Sequence, residues 1–318
     1  MIEVKDLVKK YGSHLAVDHL SFTLESGKIY GFLGPNGAGK STTMNIMTGY
    51  LGATNGSVLI DGHDILKEPE EAKKHIGYLP ELPPLYMDMT VQEYLEFAAE
   101  LKKLPKEKRE SDISEVMKLT RLQDVSDRLI KNLSKGYKQR VGLAQAILGF
   151  PEIIILDEPT VGLDPKQIIE IRELIRTLSK KHTVILSSHI LAEVREVCDY
   201  ILIISKGKLV ASDTPENLEL LRNGASSLEL EVKAAPETVR AILSTIDDID
   251  AMEMHSENEN LTRVKLETKN GADIREAVFY AFAEEKCPLL EMKTAKASLE
   301  DIFMELTQKE GSNDAGNL

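Results

Sequence analysis

Cysteine is scarce. The 318 residues hold two, Cys198 and Cys287, without metal or redox spacing. Unpaired thiols in a chain of this size suit a reducing compartment and exclude a disulfide-stapled scaffold. Long apolar runs are also missing. The longest, at 141–150 and Ile153–Leu156, fall short of the ~18 residues that span a bilayer, and charge or proline flanks them. The opening Met1-Ile-Glu-Val-Lys-Asp lacks the basic-then-apolar layout of a signal peptide. These absences predict a cytoplasmic protein unless something tethers it. There is no basic excess: 39 basic against 52 acidic residues leave a net charge of −13. Residues 226–318 carry −10 of it, read as a well-solvated acidic surface. Nucleic acid is therefore not expected as a partner, because binding its backbone wants a basic face. Internal repeats and low-complexity tracts are lacking too.

What is present is ordinary for a globular protein, with 42% apolar and 29% charged residues and length for about two domains. Short β-rich runs fill 1–60, at 2–4, 20–24, Ile29–Leu33 and 58–60. A helical pattern follows from 91 to 133, broken by a charged hinge at 104–110. Residues 151–212 return to α/β. Ile153–Leu156 reads as a continuous buried parallel strand. Helix is expected at 167–180 and 190–197, strand at 184–187, and a hairpin at 200–212. Composition shifts near 222–227. Beyond it the order is strand, helix, strand, strand, helix, strand, the ferredoxin-like βαββαβ arrangement, with a last helix at 298–307.

Gly34-Pro35-Asn36-Gly37-Ala38-Gly39-Lys40-Ser41 fits the phosphate-loop pattern, preceded by a strand and followed by a helix from Thr42. Its glycines let backbone N–H groups converge on phosphates at a helix N-terminus. Lys40 is expected to reach the β- and γ-phosphates and the Ser41 hydroxyl to hold Mg²⁺. Asp157-Glu158 end a buried strand, facing the crevice where α/β sheets bind ligands. Asp157 is expected to position Mg²⁺ through water, and Glu158 to polarise the attacking water as general base. The pattern establishes binding of a nucleoside triphosphate and leaves the use of its energy open.

A third motif narrows the family. Leu133-Ser134-Lys135-Gly136-Tyr137 resembles the Leu-Ser-Gly-Gly-Gln signature of ABC-type ATPases. Pro159 to Pro165 resembles the loop after their catalytic carboxylate, and Ser187-Ser188-His189 the segment of their switch histidine. Tyr11 stands where the family stacks an aromatic on adenine. Gly77-Tyr78-Leu79-Pro80-Glu81 matches a loop that normally ends in glutamine, and Glu81 is placed near the metal. Order and spacing match over roughly 1–215. The resemblance implies ATP and Mg²⁺ as cofactors, with Ser134, Gly136 and His189 as contacts to phosphate. Ser134 and Gly136 then serve ATP held by a second ATP-binding subunit in a homo- or heterodimer, because one chain carries one loop and one signature. From the residues alone, Ser134 is a helix cap, His189 a surface histidine and Tyr11 a strand-edge aromatic. The remaining histidines, His14, His63 and His75 among them, read as structural or surface residues.

The expected fold is thus α/β. It has a P-loop NTPase core of ABC type over 1–220, with its helical subdomain at about 88–150. A small α+β accessory domain follows over 226–310, and a disordered tail over 311–318. The tail domain resembles those of ABC-2-type exporter ATPases, and the signature resembles those of multidrug and gliding-motility types. An integral-membrane permease is the implied partner, with the chain peripheral on the inner face of the cell membrane. Leu82, Leu85, Tyr86 and Met87 are docking candidates or, alternatively, subdomain core. The rival reading is a soluble ABC ATPase not coupled to transport.

Overall fold

The computed structural model describes residues 1–220, 227–258, 260–269, 272–295 and 303. The chain divides into two compact units, Met1–Thr214 and Pro215–Leu318. The first opens with β1 (Ile2–Tyr11), β2 (His14–Leu24), β3 (Ile29–Leu33), α1 (Lys40–Met47), β4 (Asn55–Ile60), β5 (His63–Asp64), α2 (Pro69–Lys74) and β6 (Ile76–Leu79). Helices α3 (Val91–Leu101), α4 (Lys106–Leu119) and α5 (Lys135–Ile147) follow. It closes with β7 (Ile153–Leu156), α6 (Pro165–Ser179), β8 (Thr183–Ser188), α7 (Leu191–Val197), β9 (Tyr200–Ser205) and β10 (Lys208–Asp213).

Strands β9-β3-β8-β7-β6 run parallel, and β10 pairs antiparallel at one edge. Every residue of β3, β7 and β8 is buried, which is why these strands read as near-continuous apolar runs. Parallel register sets their C-terminal ends side by side, with Leu33 opposite Ser188 and Leu156 opposite both Leu186 and Leu79. Four loops therefore leave the sheet on one rim: the phosphate loop, Asp157-Glu158, His189 and the segment through Glu81. A second, antiparallel sheet has the order β2-β1-β4-β5. Its first two strands exceed the short runs expected, because their alternating polar residues hide them from an apolar count.

Thr90 caps α3, accepting from the Glu93 amide while the Glu93 carboxylate accepts from the Thr90 amide. Val91, Tyr94, Leu95 and Ala98 are buried on the inner face of that helix. The charged hinge expected at 104–110 is a correction. Helix α4 begins at Lys106, straight after Pro105, whose φ of −55° already suits a helical start. The charges there are the outer face of the first turns of α4. The segment expected as loop at 77–81 begins instead within strand β6, whose four residues, one of them glycine, carry little periodic signal.

The second unit contains α8 (Pro215–Leu220), β11 (Ser227–Val232), α9 (Pro236–Leu243), β12 (Ile249–Asn258), β13 (Leu261–Thr268), α10 (Arg275–Glu284) and β14 (Leu289–Ala295). Its antiparallel sheet has the order β12-β13-β11-β14. Leu228, Leu230, Val232, Val264 and Leu266 pack with Val239, Leu243, Val278 and Phe282 of α9 and α10. The intervening strand residues carry charge, with Lys293 3.3 Å from Glu229 and Arg263 3.0 Å from Glu231. This period-two division places part of the unit's acidity on a solvated sheet face. The helix expected at 298–307, apart from Phe303, and the tail at 311–318 lie outside the described residues. Among the described residues, no helix is long and apolar enough to cross a membrane.

Candidate functional site

Residues 34–39 turn tightly from β3 into α1. Gly39 is the N-cap of α1, with a φ of +102°, and a Cβ there would stand 2.5 Å from the Ala16 carbonyl oxygen. Only glycine fits both conditions. The Lys40 ammonium donates to the carbonyls of Gly34 at 2.7 Å and Pro35 at 3.2 Å, and lies 3.8 Å from Glu158 Oε1. Burial pulls its pKa down, and the carboxylates of Glu158, Asp157 and Glu81 pull the other way. A cation held by carbonyls beside an open loop has donors to offer a phosphate.

Asp157 and Glu158 follow β7. Asp157 Oδ1 accepts from Ser187 Oγ at 2.6 Å and from Ser41 Oγ at 3.2 Å. The Glu158 amide donates to the same Ser187 Oγ at 2.8 Å. Glu158 has a φ of +48°, a left-handed conformation costing about 1–3 kcal/mol in a non-glycine residue. Ser187 thus orients both acids, a role that its place in the histidine segment does not signal. Its only sequence signal is a serine directly after the apolar run Val184-Ile185-Leu186. His189, just beyond β8, stands with Nδ1 3.0 Å from Glu158 Oε2.

A cleft of about 440 Å³ brings most of the predicted residues together. Asn36, Gly37, Ala38, Gly39, Lys40, Ser41 and Thr42 form one wall; Glu81, Glu158 and His189 stand opposite, and Tyr11 is at the rim. Gly34 and Pro35 form the foot of the loop. Asp157 is buried behind Ser41 and joins it and Glu81 in an adjoining cavity of about 820 Å³. Ser134 and Gly136 do not line the cleft. Ser134 is the N-cap of α5, accepting from the Tyr137 amide at 3.4 Å, and Gly136 lies against the Gln167 side chain. His14, read as a structural or surface residue, is in the cleft wall. The hydroxyl of Ser41 and the carboxylates of Asp157, Glu81 and Glu158 are all oxygen donors. That set fits Mg²⁺, a hard cation that takes few protein ligands and keeps several waters.

The family model described as "ABC transporter" matches residues 17–161. The chain is 35% identical over 308 residues to the bacitracin transport ATP-binding protein BcrA of Bacillus licheniformis, covering 96% of this chain and 97% of that protein. A solved structure of an ATP-binding subunit of an ABC transporter shares 31% identity with a TM-score of 0.65, over 70% of this chain and 93% of that one. A dimeric ATP-binding cassette in a post-hydrolysis state with ADP and Pi shares 26% identity with a TM-score of 0.62, over 67% of this chain and 98% of that one.

Proposed function

The chain belongs to the ABC transporter family as one of its ATP-binding proteins, and from that premise we propose that it powers export through a separate membrane-spanning partner. It is an ATPase. The observation that carries the reading is the convergence on one cleft of Lys40, 3.8 Å from Glu158, and His189, 3.0 Å from it. Lys40 and the loop amides bind the β- and γ-phosphates, and Tyr11 stacks on adenine. Ser41, Asp157 and Glu81 hold Mg²⁺. Glu158 takes the proton of the attacking water, and His189 contacts the γ-phosphate while orienting Glu158. Ser134 and Gly136, outside their own cleft, act on ATP held by a second ATP-binding subunit. Closure of such a pair on ATP and its reopening after hydrolysis is a rigid-body cycle that a membrane partner can use.

Likeness to BcrA over nearly the whole chain, second unit included, supports the exporter branch. In this reading the chain sits on the cytoplasmic face of the membrane through its permease. The alternative that Leu82, Tyr86 and Met87 are subdomain core fails, since all three are exposed and Leu82 keeps 82% of its surface. Leu85 and Tyr86 instead line a groove of about 520 Å³ with Tyr94, Phe97 and Leu101. We assign it to the permease.

Tagged protein drawn from detergent-solubilised membranes of its native host is expected to carry a stoichiometric multi-span protein. Leu82→Asp with Tyr86→Asp is expected to release it, folding being checked by the thermal transition. Recovery of soluble partners alone would replace transport with the soluble-ATPase reading. A second prediction concerns Glu81, which stands where glutamine is usual. Gln has the same reach, so Glu81→Gln is expected to retain ATPase activity, measured as phosphate release. Abolished activity would show that the carboxylate charge itself is required.

A further inference from the structure

A second cluster of donors lies in the first unit, among residues that do not line the phosphate cleft. Asp61 occupies the turn between β4 and β5, His75 closes α2, and Glu152 precedes β7. One oxygen, one ring nitrogen and one oxygen from these three lie within 4.8 Å of one another. His75 Nδ1 and Glu152 Oε2 are 3.2 Å apart. The backbone fixes the places of all three. The Ile153 amide donates to the His75 carbonyl at 2.9 Å, joining the starts of β6 and β7. Asp61 is left-handed, with a φ of +47°, in a turn closed by the pairing of Ile60 with His63. The His63 ring lies parallel to that of His75, with centroids 6.0 Å apart, and supports it from one side. Its own Nδ1 is turned to Glu68, 3.5 Å away.

Ligands about 2.0–2.2 Å from a tetrahedral zinc stand about 3.3–3.6 Å from one another. The His75–Glu152 separation is close to that already. The carboxylates of Asp61 and Glu152 are half or more exposed, and a small torsional change closes the rest. One imidazole and two carboxylates, with room for water at the fourth position, is a zinc-class donor set. An oxygen-seeking cation such as Mg²⁺ or Ca²⁺ would leave the imidazole unused. We propose that Asp61, His75 and Glu152 form a surface site for a zinc-class divalent cation, which ties the β4–β5 turn to the edge of the parallel sheet. Glu152 is too far in sequence from Asp61 and His75 to announce such a site, which the pairing of β6 with β7 assembles.

The test titrates the full chain, without nucleotide, with zinc chloride against a chromophoric chelator. One equivalent is expected to bind. His75→Ala and Glu152→Gln are each expected to weaken it by at least about tenfold. Zinc should raise the thermal transition of the wild type and not that of either variant. The transition without zinc checks that the variants fold, and Asp61→Asn, in an exposed turn, supplies the same comparison if one of them does not. Absence of saturable binding overturns the proposal. So does equal affinity in wild type and variants, which would place the zinc elsewhere on the chain.

Discussion

Glu158→Gln is expected to lower steady-state ATP turnover by about 10²–10⁴-fold while leaving ATP affinity near that of the wild type. The carboxylate is 8% exposed and lies between Lys40 and His189. Gln keeps the shape and the reach to both neighbours, but it has no basic oxygen to take a proton from water. In the proposed reading, binding rests on the loop amides, Lys40 and Ser41, which the substitution leaves in place. Loss should therefore fall on the chemical step and not on capture of nucleotide. Phosphate release gives the rate, and equilibrium titration with ATP gives the affinity. A further consequence follows from the proposed pair of subunits. ATP that is held and not consumed should accumulate the dimer, visible by light scattering after size-exclusion chromatography. Turnover within about tenfold of the wild type would remove Glu158 from the role of general base.

Lys40→Ala is expected to weaken ATP binding by about 10- to 150-fold. A hydrogen bond to a charged group contributes about 1.5–3 kcal/mol, and each 1.4 kcal/mol is a tenfold change. The fold should survive, because the two terms oppose each other. Truncation leaves the Gly34 and Pro35 carbonyls and the Glu158 carboxylate without their cation. It also removes an ammonium whose burial pulls its pKa down, a sign that the folded protein holds that charge at a cost. Calorimetric titration with Mg·ATP and a thermal scan of the free protein separate the two effects. Unchanged affinity would mean that the loop amides alone carry the phosphates.

How much was legible varied with the range of the interactions. The phosphate loop is a local device: six residues between a strand and a helix form the turn, and Gly39 supplies its positive φ within that stretch. The continuous apolar run at Ile153–Leu156 announced a buried parallel strand, because burial on both faces leaves no polar alternation to confuse the pattern. The α+β order of the second unit was legible for the complementary reason. Its strands alternate an apolar face toward α9 and α10 with a charged face toward water. Mixed patterns misled. The charged stretch at 104–110 reads as a hinge until α4 is seen to begin at Lys106 and turn those charges outward.

By itself, then, the sequence determined the buried strands with continuous apolar runs, the strongly periodic helices, the family resemblance and the consecutive motifs. These depend on backbone sterics and side-chain periodicity among neighbours in the chain. Tertiary structure alone decided what meets across the parallel sheet. Ser187 lies under Asp157 and Glu158, His189 reaches Glu158, and Asp61, His75 and Glu152 share a corner. It also decided that Leu82 and Tyr86 face solvent and not a core. Strand register sets these contacts, and register follows from how whole elements bury their faces against one another, which no stretch of neighbouring residues encodes.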